Sequence, residues 1–172
     1  MTVCGGHSLL FEWKGSDASL KPAMFCAHLD VVPVPDAPTW QQEPFSGHID
    51  EDDVVWGRGA IDNKHNLITQ LSAVEGLLAA GRAPRRTLLL AYGHDEEVGG
   101  RQGAAAIAAE LKSRGVKAEF ILDEGAMILK GAVPGYAKPV AFICNAEKGA
   151  VNVKMEVDDV CVCMYVCMYV CM

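Results

Sequence analysis

No stretch of about 18 apolar residues runs through these 172 residues, so no transmembrane helix is expected. The opening Met1-Thr2-Val3-Cys4-Gly5-Gly6 carries neither the charged nor the apolar region of a secretory signal. Basic residues are scarce: 15 Lys and Arg stand against 22 Asp and Glu, a formal net charge of −7. Nucleic acid and anionic membranes require basic patches, so neither is expected as a partner. Cysteine is badly distributed rather than rare. Of seven, Cys161, Cys163, Cys167 and Cys171 crowd into the last twelve residues. Cys4, Cys26 and Cys144 do not make a disulfide framework and are expected as buried free thiols. Gly57-Arg58-Gly59 and Gly99-Gly100 lack G-x-G-x-x-G spacing, which excludes that phosphate fingerprint and leaves them as glycines of tight turns.

What is present suits a globular domain with a core: 51% of residues are apolar and 22% charged. Residues 7–14 read as a strand, and Ala23-Met24-Phe25-Cys26-Ala27 as a strand buried on both faces. Pro33, Pro35, Pro38 and Pro44 bar a helix from residues 33–47, and residues 48–56 read as a hairpin arm. Leu67, Ile68, Leu71, Val74, Leu77 and Leu78 form a helical stripe that Gly81 ends. Strand Thr87–Tyr92 follows, then a helix carrying Ala104, Ile107, Ala108 and Leu111 that stops at Gly115, then strands at 119–122, 139–144 and 151–157. Strand alternating with helix implies an α/β fold, a doubly wound, mainly parallel sheet with flanking helices.

Such sheets bind ligands beyond the carboxyl ends of their strands. His28-Leu29-Asp30, Glu96-Glu97 and Asp123 lie at such ends, and Asp62 lies just before a helix, where free N–H groups can hold a carboxylate. Adjacent glutamates on extended backbone point to opposite sides, so Glu96 and Glu97 can hold different jobs. Asp30 falls on the same side of an extended chain as His28 and is placed to receive its N–H. Singly, His28 is more often a core histidine, Asp62 a helix cap and Asp123 a turn residue. His7, His48, His65 and His94 show no ligand-like spacing. Together, one imidazole and several carboxylates suit zinc, manganese or cobalt, and the excess of carboxylates favours a bridged pair of ions. A free glutamate beside the activated water then serves as general base.

His28-Leu29-Asp30-Val31-Val32-Pro33, Trp56-Gly57-Arg58-Gly59-Ala60-Ile61-Asp62-Asn63-Lys64, Gly93-His94-Asp95-Glu96-Glu97-Val98-Gly99-Gly100 and Leu122-Asp123-Glu124-Gly125 resemble the dizinc metallopeptidases that include aminoacylase and carboxypeptidase S. Pro44-Phe45-Ser46-Gly47 and Ala146-Glu147-Lys148-Gly149 fit too, and the N-fatty-acyl-amino-acid synthase/hydrolase branch is the most similar. The resemblance implies two zinc ions: His28 and Asp123 on one, Glu97 on the other, Asp62 bridging. It further implies Asp30 as the catalytic residue orienting His28 and Glu96 as general base, then acid. The implied reaction is hydrolysis of the amide in an N-acyl amino acid, or the reverse condensation, with a carboxypeptidase- or dipeptidase-type peptide hydrolase as rival. Small-molecule substrates, a homo-oligomer and a secreted or lumenal location follow from the same likeness. Within that family the catalytic domain resumes after an inserted lid or dimerisation domain and supplies a further histidine to the second metal. This chain has no counterpart, so it is expected to be a fragment short of one ligand and of full activity. A non-catalytic metal-binding or association fragment is the alternative of another class.

The expected division is therefore a partial catalytic domain at 1–148, the first strand of a lid at 149–157 and a low-complexity tail at 158–172. From Cys163 that tail repeats Cys-Met-Tyr-Val, which TGT-ATG-TAT-GTG encodes. A translated TG-rich repeat is the first expectation, with a thiol-rich metal tract or a β-prone edge strand as the others.

Overall fold

The structure is a computed structural model that describes residues 1–35, 37–125, 128–144, 149–155 and 164–170. The chain forms two compact units, Met1–Glu124 and Gly125–Met172.

In the first unit the order is β1 (Thr2–Cys4), β2 (Ser8–Trp13), β3 (Ala23–His28), β4 (His48–Ile49), β5 (Val55–Trp56), α1 (His65–Ala79), β6 (Leu88–Gly93), α2 (Ala104–Ser113) and β7 (Phe120–Leu122). Five strands make one sheet in the order β1-β2-β6-β3-β7, and β4 pairs with β5 as the expected hairpin arm. β3 runs parallel to both β6 and β7, with His28 opposite Gly93. β1 and β2 pair antiparallel, as do β2 and β6, so the sheet is mixed rather than mainly parallel. Parallel pairing needs a crossover of a dozen or more residues. Helices α1 and α2 supply one on the way from β3 to β6 and from β6 to β7, whereas a tight turn joins β1 to β2.

The unbroken apolar run of β6 is explained by burial on both faces. Leu89 and Ala91 pack with Leu10 and Ile107 under α2, while Leu90 and Tyr92 pack with Ala27 under Leu67, Leu71 and Val74 of α1. One helix on each face is the doubly wound arrangement. The stripe read on α1 is only partly used: Leu67, Leu71 and Val74 reach the sheet, but Ile68, Leu77 and Leu78 are exposed. Both helices end on a left-handed glycine, Gly81 (φ 64°) and Gly115 (φ 66°). In each case the glycine N–H and the next N–H bond back to the last turn, Gly81 to Leu78 and Arg82 to Leu77, Gly115 to Lys112 and Val116 to Leu111.

In the second unit β8 (Ile128–Lys130) pairs antiparallel with β9 (Pro139–Ala141), and β10 (Gly149–Met155) with β11 (Met164–Val170). Residues 164–170 of the repetitive tail are thus a strand laid along residues 149–155. Of the motif Ala146-Glu147-Lys148-Gly149, all but the glycine lies outside the described residues.

Candidate metal centre

Strands β3, β6 and β7 run parallel, so their carboxyl ends open onto one edge of the sheet, the edge where such folds bind ligands. His28 closes β3, and the next residue is tied across, Leu29 N–H donating to Gly93 O at 2.7 Å. The imidazole is buried, 2% exposed, with acceptors at both nitrogens. Nδ1 lies 3.0 Å from the backbone oxygen of Asp30 and 3.3 Å from its Oδ1. Nε2 lies 2.8 Å from Asp62 Oδ1, 3.5 Å from Glu124 Oε2 and 3.9 Å from Glu96 Oε2. Asp30 thus receives the ring N–H chiefly through its carbonyl. Burial opposes a charge on His28, but its hydrogen bonds to Asp62 and Asp30 with the charges of Glu124 and Glu96 outweigh it, and the imidazole pKa is raised.

The Asp30 carboxylate has a separate task. Oδ1 accepts the backbone N–H of Glu96 at 3.1 Å and Oδ2 that of Glu97 at 3.0 Å. Glu96 and Glu97 sit on a short 3₁₀ turn, Glu96–Val98, beyond the end of β6. Their side chains diverge because successive residues of such a turn step about 120° round its axis, not because of strand alternation. Burial first, then the neighbouring charges of Glu97, Asp30 and Asp62, raise the Glu96 carboxyl pKa against the lowering effect of His28.

Asp62 is not a helix cap. Between Gly59 and α1 the chain makes an irregular turn in which Asp62 (φ −113°, ψ 92°) and Asn63 (φ −137°, ψ 27°) leave helical geometry, and neither flanking cap position bonds a side chain. That departure turns the Asp62 carboxylate to His28. Its neighbours are fastened as well. Asn63, 1% exposed, donates from Nδ2 to Glu124 Oε2 at 2.5 Å, and Lys64 Nζ donates to the Leu29 oxygen at 2.6 Å. Beyond β7, Asp123 accepts the N–H of Glu124 at 2.9 Å. Burial, with the charges of Asp62, Glu96 and Asp123, raises the Glu124 carboxyl pKa against the pull of His28.

Two sets of donor atoms, each within 4.8 Å of one another, result: His28 with Asp62 and Glu97, and His28 with Glu96 and Glu124. Of the six residues singled out in the sequence, His28, Asp62 and Glu97 share the first set and Glu96 joins the second. Asp30 lies behind His28, and Asp123 belongs to neither set. Glu124 and Asn63 both lie in the motifs that carry the resemblance, without a role assigned to either there. The signal for both was adjacency to a chosen acid. One imidazole facing carboxylates fits a zinc-like cation, and the buried Asn63 Oδ1 has no hydrogen-bond partner among the described residues. On the α2 face a cavity of about 410 Å³ opens beside these groups, with His28, Glu96 and Asp123 at one end and Met24, Leu111 and Val116 at the other.

Residues 24–161 match the family Peptidase family M20/M25/M40. The chain belongs to that family. It is 46% identical over 156 residues to N-fatty-acyl-amino acid synthase/hydrolase PM20D1 of Bos taurus, covering 91% of this chain and 31% of the relative. It is 44% identical over 159 residues to probable carboxypeptidase S-like 2 of Dictyostelium discoideum, covering 91% and 30%. The chain therefore spans under a third of the length of these M20 relatives. Among solved structures, an M20 family metallo-carboxypeptidase from Sulfolobus solfataricus superposes with a TM-score of 0.59 at 28% identity, over 73% of this chain and 28% of that one. Human carnosine dipeptidase 1, at 24% identity and a TM-score of 0.58 over 72% and 26%, shares the fold. An α/β M20 fold and a site chemistry suited to a metal agree with the resemblance read from the four motifs.

Proposed function

We propose that this chain carries the cation-binding and water-activating part of an amide hydrolase acting on N-acyl amino acids, N-fatty-acyl ones above all. The observation that carries the reading is the ring of carboxylates round His28 Nε2, with Asp62 at 2.8 Å and Glu124 and Glu96 within 4 Å. His28, Asp62 and Glu97 would hold one zinc ion. Glu124, which shares the alternative set with His28 and Glu96, would be the candidate for the place the resemblance gave to Asp123, and Asp62 would be the acid to share with any second ion. Bound zinc would supply Lewis-acid chemistry, polarising the scissile carbonyl and making water more acidic. The protein's own groups do the rest. Asp30 holds the ring N–H of His28 through its carbonyl and sets the Glu96 backbone through its carboxylate. Glu96, its pKa raised by burial and by neighbouring carboxylates, takes a proton from the attacking water and gives it to the leaving amine nitrogen.

The name of the Bos taurus relative and the apolar cavity beside the site support a fatty acyl group; the carboxypeptidase S-like relative supports peptides as the second reading. Calorimetric titration of the chain with zinc, then turnover of an N-fatty-acyl amino acid against a dipeptide with Glu96→Gln as control, tests both. Zinc uptake with Glu96-dependent release of fatty acid is the expected result. Faster dipeptide cleavage favours the second reading, zinc uptake without turnover a metal-binding fragment, and no zinc uptake refutes the site.

A further inference from the structure

Asp95, Glu96 and Glu97 are consecutive acids, yet only the last two belong to a candidate cation set. Asp95 is turned the other way. Its Oδ2 accepts the N–H of Gln102 and its Oδ1 that of Gly103, each at 2.8 Å, which fastens the loop to the start of α2. Its backbone oxygen takes two more donors, Gly100 N–H at 2.7 Å and Val98 N–H at 3.3 Å. Four N–H groups therefore converge on one residue, and the turn bearing Glu96 and Glu97 is closed on the α2 side as Asp30 closes it on the β3 side. Just upstream, Ser8 Oγ and His94 Nδ1 share a hydrogen bond of 2.6 Å, with Ser8 fully buried on β2. Gly103 completes the fit: a Cβ there would fall on Asp95 Oδ1, and lie 2.9 Å from His94 N and 3.0 Å from Ser8 Oγ.

We propose that Asp95 is a positioning residue, a clamp that fixes the Glu96–Glu97 turn for cation binding and proton transfer, with Gly103 as the space it needs. This rests on the hydrolase reading only for what the turn is used for; the clamp itself is a statement about backbone order. Both Asp95 oxygens are spent on backbone donors, which is why it is not a ligand itself. Outer-shell partners of this kind commonly change metal affinity 10–100-fold when removed.

The test uses the whole chain. Hydrogen exchange is followed at the Glu96 and Glu97 amides and, as an internal standard, at the amides of β6; zinc affinity is measured by calorimetry. Asp95→Ala is expected to speed exchange at Glu96 and Glu97 more than tenfold with β6 unchanged, and to weaken zinc about tenfold. Asp95→Asn, which keeps one acceptor oxygen, is expected to show a smaller loss. Gly103→Ala removes no functional group and is expected to act like Asp95→Ala, by displacing the carboxylate. Unchanged exchange at Glu96 and Glu97, acceleration shared equally by β6, or parental zinc affinity beside a loosened turn overturns the clamp. A parent chain that takes up no zinc counts against the hydrolase reading instead, and the exchange rates then decide the clamp alone.

Discussion

The buried amide of Asn63 donates to the carboxylate of Glu124 at 2.5 Å, joining the turn before α1 to the end of β7. Through that bond the residue that follows Asp62 in the chain also holds a second carboxylate, 3.5 Å from His28 Nε2. Asn63→Leu and Glu124→Gln are therefore both expected to weaken zinc binding, by about 10-fold or more, since each removes a ligand or its anchor. Asp123→Asn is expected to cost less, because that carboxylate faces the Glu124 N–H. Calorimetric titration of the three variants checks the order, and an Asp123→Asn loss equal to that of Glu124→Gln reverses the assignment.

Proton linkage gives a second expectation. His28, Glu96 and Glu124 all have pKa values raised in the folded, metal-free chain. The folded state then binds more protons than the unfolded one, and stability falls as pH rises. For the glutamates the loss runs upward from the ordinary carboxylate range; for His28 it runs upward from about 6.5. Zinc needs the imidazole neutral and the carboxylates ionised, so its binding releases protons and strengthens over the same range. Thermal unfolding of the metal-free chain from pH 5 to pH 8 is expected to show a falling midpoint. The increment from added zinc is expected to grow. An increment that shrinks with pH excludes His28 as a ligand.

The core makes its own prediction. Leu10 is 2% exposed on β2, packed with Leu89, Ala91 and Ile107, whereas Ile68 is 57% exposed on α1. Leu10→Ala is expected to cost about 2–5 kcal/mol, enough to threaten folding of so small a unit. Ile68→Ala is expected to stay within about 0.5 kcal/mol. Guanidinium denaturation separates the two, and equal losses mean that α1 is packed on more of its surface than described.

Helix termination is separable from packing at Gly81, where an added Cβ meets nothing within 4 Å. The cost of Gly81→Ala is conformational alone, about 1–2 kcal/mol for a left-handed residue at φ 64°. A stability change near zero in the same denaturation assay would show that the chain leaves α1 by another route.

Much of this arrangement was legible in the residues themselves. Unbroken apolar runs marked β3 and β6, glycines marked both helix ends, and the location of acids after strands marked the edge carrying His28 and Glu96. What escaped was set by tertiary contacts. The stripe on α1 predicts a buried face but not how far along it the sheet extends, and Ile68, Leu77 and Leu78 ended in solvent. The position of Asp62 before a helix suggested a cap, whereas its non-helical backbone angles send it to His28. Between Asp123 and Glu124 the sequence offers two adjacent acids, and the bond from Asn63 to the second is a tertiary contact that neighbouring residues do not announce. The antiparallel strands β1 and β2 lie outside the strand–helix–strand rhythm, so a parallel count could not include them.

His28 belongs to both donor sets, and its Nε2 faces Asp62, Glu96 and Glu124 together. A ring nitrogen has a single lone pair. The two sets thus compete for it, so among the described residues only one of them can be held through this imidazole at a time; an ion in the other set would rely on oxygen donors alone and would be the first surrendered to a chelator.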